Sequence, residues 1–518
     1  MLLILFIIFR VLAIVALRPG GQVLDFSDFA HFQVFGEVAR QGYYPYDTLW
    51  PTYPPLFTPF IIAIYEQSVL LPPWEFPVLW FTLMMGGTFL IFETSNFILL
   101  YLLAQKITGA DTATTDDEAR IARQKALRSC WMYAVFFAPL YTLIGWFESY
   151  PLFFFLLSLY LLIQKRPYLS ALFTGIGFMV KFLPLMLLPV AVQTFSRVQG
   201  RISRSANQIG TTSRQFSALG WHLWLRPHRT TTEEDGEKLA ISFPFDLPRT
   251  LLYLAIFFVT VTLIGLPFYL MNPDLIFGSQ QVTSARLPWQ TVWALIDGNH
   301  RYGTLPLDLR NTSWVPTDAP PSQIPWLWVT AVFGVIYAIF YTRPINWQQP
   351  KSVLAFTGFT LSLFLLWSKG YSPQWLNWSM FFIALLLPNI RGVIYASILN
   401  LGDILESNIF FIIFPEEIWL LRTTVIIRTC LLLILAIEYL LLIWPQLVTP
   451  TIHRIRAWGL TVAVTILIVG AIPAGLQLGN RFFELRQVQS PYSATLARLQ
   501  NEPTTGALLL NNHRYRDC

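Results

Sequence analysis

Leu2-Leu-Ile-Leu-Phe-Ile-Ile-Phe-Arg10-Val-Leu-Ala-Ile-Val-Ala-Leu17 opens the chain with sixteen residues, one of them charged. A run of this length and apolarity reads as a membrane-crossing helix, because backbone in hydrocarbon must satisfy its own hydrogen bonds. It lacks the basic start of a secretory signal, and Arg18-Pro19-Gly20 follows in place of a small-residue cleavage site. We therefore expect it to be the first span. Arg10 should turn to the bundle interior or an aqueous cavity, since a cation facing lipid is costly.

Similar runs recur as far as 461–476. Across 518 residues, 54% hydrophobic, 16% aromatic and 12% charged side chains, with a mean hydropathy of +0.51, describe a chain solvated mainly by lipid and exclude a soluble globular one. The formal charge of +6 does not imply nucleic acid, because the basic residues are spread through loops between apolar runs, as positive-inside topology requires. Cys130, Cys430 and Cys518 are too few and too scattered for a disulfide framework or a metal cluster.

The expected fold is an all-α polytopic membrane protein with spans at 2–17, 55–71, 76–104, 130–147, 150–163, 168–195, 250–271, 325–342, 352–367, 374–389, 392–414, 418–446 and 457–477, about 11–13 crossings. Residues 1–477 form a single membrane domain, followed by a polar tail, 478–518, placed outside. Six arginines between 197 and 229 put loop 196–248 in the cytoplasm, with 343–351 and 453–456 on the same side. The outward segments are then 18–54, 272–324 and the turn 368–373. Asn311-Thr-Ser313, a glycosylation sequon by pattern, falls on that side. If basic segment 106–129 is cytoplasmic, 55–71 and 76–104 cannot both cross. We expect 55–71, which starts at Pro54-Pro55 and contains Pro59, to be re-entrant or to lie along the membrane surface. Segment 168–195, basic on both flanks, reads as a hairpin bent outward at Lys181-Phe-Leu-Pro184.

The stretch Asp25-Phe-Ser-Asp28-Phe-Ala-His31-Phe-Gln-Val-Phe-Gly-Glu37-Val-Ala-Arg40-Gln-Gly-Tyr-Tyr-Pro45-Tyr-Asp47, closing on Tyr53-Pro-Pro-Leu56, carries the most chemistry. Apolar residues at 29, 32, 35 and 38 follow a helical period, so Ser27 or Asp28 can cap an amphipathic helix on the membrane surface. Asp28 then stands where water meets lipid, either as that cap alone or as a reactive carboxylate. Three further pieces stand out: Gly145-Trp-Phe-Glu148-Ser149, Lys181-Phe-Leu-Pro184, and Lys369-Gly-Tyr371-Ser-Pro-Gln374-Trp375.

Taken in order over residues 1–390, these pieces resemble the C-type (GT-C fold) glycosyltransferases, above all the bacterial polyprenyl-phosphate-sugar branch and the glycosylphosphatidylinositol mannosyltransferase I branch. The latter has a tight Asp-x-Asp before its loop helix; here the acids are Asp25 and Asp28, with His31 near the second place. The resemblance implies inverting transfer of a hexose, mannose being one option, from a polyprenyl-phosphate sugar to a lipid, glycan or protein acceptor on the outer or lumenal side. Such transfer needs a carboxylate to take the acceptor hydroxyl's proton, Asp28 first and Asp25 second. It also needs a cation beside the departing phosphate, Lys369 first and Lys181 second. Tyr53, His31, Glu148, Tyr371, Gln374 and Trp375 are the expected substrate-binding neighbours. Lys369 has the plainer reading of a snorkelling span-end lysine. Trp378 reads as an interfacial belt residue. Glu93, inside an apolar run, needs a partner, and Arg10 is one.

No Walker-type loop, Gly-x-Gly-x-x-Gly, Cys/His ligand spacing or Gly-x-Ser-x-Gly elbow is present. That absence fits a lipid-linked donor. No cofactor is expected, with a divalent cation left open, and the expected partners are the lipid-linked donor and membrane lipids, with no nucleic acid and no identifiable obligate protein. The bacterial plasma membrane is the first expected location and the endoplasmic reticulum the second. The rival reading is a secondary transporter or lipid flippase, which would tend to show internal repeats and paired broken helices. One broken segment without a partner is visible.

Overall fold

The structure is a computed structural model that describes residues 1–18, 27–51, 53–72, 79–110, 113–195, 246–276, 278, 286–300, 322–459, 461, 465 and 475–480. Among these the chain is helical, without a β-strand. It divides into two compact units, Met1–Ile443 and Trp444–Cys518. In the second, a 3-10 turn Pro445–Leu447 precedes a helix beginning at 450. Most of the expected span 457–477, the cytoplasmic loop as far as residue 245, the Asn311 sequon, Asp25 and the tail beyond 480 lie outside the described residues.

The first unit is a multi-pass membrane bundle. Among the described residues five of its helices are long and apolar enough to cross: α4 (Leu79–Thr108), α10 (Leu247–Met271), α13 (Pro350–Trp367), α15 with its continuation (Ile390–Ile413) and α16 (Ile418–Ile443). The pair α5 (Asp116–Val135) and α6 (Phe137–Gly145), bent by 53°, makes a sixth when taken as one broken span. The expected 11–13 crossings thus meet five or six of full length. The shorter apolar helices are α1 (Leu2–Ala16), α7 (Ser149–Ile163), the segment Leu183–Thr194 that ends in α9 (Leu187–Thr194), and α12 (Trp326–Tyr341).

Local chemistry sets the ends and the bends. Thr115 caps α5 through the Glu118 amide, Asp246 caps α10 through that of Arg249, and Asn389 caps α15 through those of Arg391 and Gly392, so donors left over at each first turn are satisfied. The α5/α6 break follows from Pro139, which cannot donate to the preceding turn. The Ala138 amide, freed there, donates instead to Asn400 Oδ1 at 2.7 Å. Buried charges are matched across helices: Arg10 lies 3.8 Å from Glu93 and stacks on Phe6, pairing the two residues that the sequence leaves seeking partners.

Connections gather at two ends of the first unit. At one, Lys165 reaches Gln348 at 2.6 Å, the Asp246 amide bonds the Phe195 carbonyl, and Arg391 pairs with Glu438. At the other, α2 (Phe29–Arg40) and α3 (Phe57–Ser68) form a hairpin on the start of α4. At 30 residues α4 is ~45 Å long against a hydrocarbon core of ~30 Å, and its first turns carry that hairpin, with Tyr65 against Phe81 and Phe29 against Phe89. Helix α3 has 12 residues, ~18 Å, short of the ~30 Å core, and packs against α2 and the start of α4. The apolar face of α2 is covered by protein instead of lying on lipid: Phe29, Phe32 and Phe35 are buried, and Gly36 lets Tyr65 of α3 come so close that a Cβ would meet its ring at 2.1 Å.

Candidate functional site

Asp28 occupies the N-cap position of α2, yet its side chain makes no capping hydrogen bond; the Ser27 hydroxyl accepts from the Phe29 amide instead, at 3.2 Å. The backbone holds Asp28 in place, its amide donating to the Gly145 carbonyl at 3.0 Å. Glycine is required there, because a Cβ on residue 145 would stand 2.8 Å from the Ser27 Cβ. The turn after Gly145 puts Glu148, fully buried, against Lys181 Nζ at 2.5 Å. Ser149 fixes that turn to α4 by donating to the Phe89 carbonyl and accepting, through its own carbonyl, from Asn96.

Lys181 sits at the tip of a hairpin between α8 (Pro167–Phe178) and the 3-10 turn Leu183–Met186, where Pro184 starts the returning arm. The bend is where the sequence puts it. The Leu56 amide of Tyr53-Pro-Pro-Leu56 donates to the Met179 carbonyl at 2.9 Å, so the first loop docks on this tip. The ammonium faces the rings of Phe147, Trp378 and Trp375 at 4.8, 5.1 and 5.3 Å, and Asp28 lies within its electrostatic range. Burial raises the Glu148 carboxyl and lowers the Lys181 ammonium from their ordinary values, and the contact between them opposes both shifts. Trp378, read as a belt residue, is 2% exposed and stacks on Trp375 at 5.2 Å; it is a wall of the lysine cage. Tyr53 packs on Phe57 and Phe147, and half-buried His31 packs on Phe35.

Lys369 belongs to a second cluster. Its turn pairs with residues 289–291: the Trp289 amide donates to the Lys369 carbonyl, the Tyr371 amide to the Trp289 carbonyl, and the Thr291 hydroxyl to the Lys369 carbonyl. Gly370 permits the pairing, since a Cβ there would meet the Trp289 ring at 2.0 Å. The half-buried Lys369 ammonium lies over Trp326 at 5.2 Å and donates to the Arg286 carbonyl at 3.4 Å. Burial lowers it from the usual lysine range, opposed by Asp297. Arg286, which no sequence pattern marks, stands beside it: its guanidinium faces Trp289 at 5.4 Å, its Nε is buried without a hydrogen-bond partner, and Tyr53 of the first cluster lies in its electrostatic range.

The structure thus sorts the expected residues. Asp28, Tyr53, Glu148, Lys181 and Trp375 gather in one cluster, and Lys369 in its neighbour; the Tyr371–Trp375 ring contact at 6.2 Å and the Arg286–Tyr53 approach join the two. Tyr371 is buried under Arg428, 3.8 Å from its ring, and is no open platform for a sugar. Gln374 is half-buried in the 3-10 turn Pro373–Trp375. No group of three or more His, Cys, Asp or Glu side chains among the described residues is arranged for a metal ion. No protein-family model matches the chain, and no curated protein is significantly similar to it.

Proposed function

We propose that the chain is a membrane glycosyltransferase of the GT-C type that takes a hexose from a polyprenyl-phosphate sugar on the outer or lumenal face. One observation carries the reading: four sequence pieces, far apart in the chain, touch one another around Asp28, through the Asp28–Gly145, Leu56–Met179, Glu148–Lys181 and Lys181–Trp375 contacts. In this reading the shorter apolar helices cross as well, in antiparallel pairs with the long ones, and the arginine-rich segments face the cytoplasm.

The Asp28 carboxylate takes the proton of the acceptor hydroxyl as its oxygen attacks the anomeric carbon; the bond from that carbon to the phosphate oxygen breaks, and polyprenyl phosphate leaves as the anion. Lys369 and Arg286, cationic and at headgroup depth, take up the charge on the departing phosphate. Lys181, held by Glu148, lies within electrostatic range of Asp28 and orders that side of the site. The test is transfer by purified protein in liposomes carrying a polyprenyl-phosphate hexose, read as release of polyprenyl phosphate. Transfer from a nucleotide sugar with no polyprenyl phosphate present would refute the donor assignment.

The rival reading, a carrier, draws on the charge pairs buried within the spans, Arg10–Glu93 and Arg428–Glu406. Substrate accumulation in sealed liposomes without any covalent product would favour it.

A further inference from the structure

The first half of α5 has a chemistry that no step of the transfer uses. Ala122, Ala126, Ser129 and Cys130 are buried in the bundle, where α5 packs on α4. The rest of its circumference is exposed and carries Arg123, Lys125 and Arg128, with Ile121, Leu127 and Trp131 exposed among them. The acids of this helix stand apart from those three cations, in the first turn, where the helix dipole favours them. Asp117 is taken by Arg120 at 3.1 Å, and Glu118 by the amide and hydroxyl of Thr114 at 3.1 and 2.9 Å. Among the described residues no carboxylate pairs with Arg123, Lys125 or Arg128.

Depth decides what such a surface meets. The apolar run that continues through α6 begins at Cys130, so at ~1.5 Å per residue Arg128, Lys125 and Arg123 lie ~3, ~8 and ~11 Å before it along the helix. The headgroup layer is ~5–7 Å thick on each side of the hydrocarbon core. The 53° bend keeps α5 and α6 from both following the bilayer normal, and any inclination of α5 shortens those depths. Long basic side chains also reach along the helix toward the headgroups. Trp131 stands at the border that an indole prefers, and an apolar side chain among cations, such as Leu127, suits the boundary between headgroups and acyl chains better than water. A positive-inside bias alone asks only for basic residues in the loop and would be met by cations paired with acids or turned onto protein. Here they are unpaired, exposed and interleaved with apolar side chains.

We propose that the exposed side of α5 from Arg123 to Trp131 is a docking surface for acidic phospholipids of the leaflet in which the helix begins. The three cations meet lipid phosphates, while Leu127 and Trp131 rest against the upper acyl chains. A zwitterionic lipid offers the same phosphate together with a cation that the arginines repel, so the surface selects by net headgroup charge. The attraction is Coulombic at an exposed site and is therefore weakened by salt. The surface stands independently of the transfer reading and is tested without it.

The experiment places a bimane fluorophore at Gln124→Cys, an exposed position between Arg123 and Lys125, in a full chain lacking its native cysteines and reconstituted in nanodiscs. Quenching is compared between phosphatidylglycerol and phosphatidylcholine carrying a nitroxide near the headgroup, at equal mole fraction, with a label at lipid-exposed Val335 of α12 as the reference. The expected result is about two- to fourfold stronger quenching by phosphatidylglycerol at position 124, a ratio near one at 335, and loss of the excess in about 0.5 M salt. Combining Arg123→Gln, Lys125→Gln and Arg128→Gln should bring the ratio at 124 to about one as well. Equal quenching by the two lipids at 124, quenching by neither, as protein covering the face would give, or an excess that survives the triple substitution would overturn the proposal. Should the cysteine-free chain not fold, the motionally restricted fraction of spin-labelled phosphatidylglycerol against phosphatidylcholine decides, on the wild type and on the triple variant with native cysteines: a lower preference in the variant supports the surface, and an equal one overturns it.

Discussion

A residue's place along the chain and its surroundings separate what the sequence discloses from what it hides. Asp28 is legible as the acid opening an amphipathic helix, and the structure adds that it is not used as a cap. We expect Asp28→Asn to lower transfer by roughly a hundredfold or more at unchanged expression, since it deletes the base while keeping the shape; wild-type rates in a membrane assay with the lipid donor would remove Asp28 from the mechanism. Lys369→Ala should cost about 1–3 kcal/mol in kcat/KM, the range for losing a charge-assisted contact to phosphate, with partial recovery in Lys369→Arg. Arg286 was hidden because it lies in a loop without periodicity, and only the fold sets it beside Lys369. Trp378 was misread for the opposite reason: an aromatic at the start of a span looks like a belt residue until Lys181 is found against it. The Lys181–Glu148 pair offers a separate test. Glu148→Gln leaves a buried ammonium unpaired and should destabilise by about 3–5 kcal/mol, whereas Glu148→Leu combined with Lys181→Met should recover most of that in thermal unfolding without restoring transfer.

Among elements, the long apolar helices were legible because span length and hydropathy are composition effects, whereas short ones were not. Segment 55–71 is apolar enough to resemble a span, and only its packing between α2 and α4 shows that it ends after 12 residues. The bend at Lys181 was legible from Pro184. Close backbone approach was not, because a glycine says nothing of what it faces. Gly145 is the sharpest case: Gly145→Ala would force Ser27 and with it Asp28 to move, and we expect transfer to fall roughly ten- to a hundredfold, as for other ångström-scale misplacements. Comparing it with Gly87→Ala, whose Cβ meets nothing within 4 Å, in the same assay checks this; equal rates in the two variants would count against the geometry around Asp28.

For the whole molecule, orientation in the bilayer rests on charge bias, with the Asp28 cluster and the Lys165–Gln348 end at opposite ends of the bundle. In a chain lacking its native cysteines, one introduced at Gly210 should resist a membrane-impermeant thiol reagent in intact cells and one at Thr317 should react; the reverse pattern would put the proposed site on the cytoplasmic face. The bend between α5 and α6 has a consequence of another kind, one of timing. The amide of Ala138 is satisfied by Asn400, 262 residues later, and Tyr133 finds Asn377 at a similar remove. A nascent chain therefore carries the Ala138 donor open until Asn400, in its last third, has been translated. Asp28, Glu148 and Lys181 are synthesised early, yet the helix that brings Asn377 to Tyr133, and with it Trp378 to Lys181, follows about two hundred residues later.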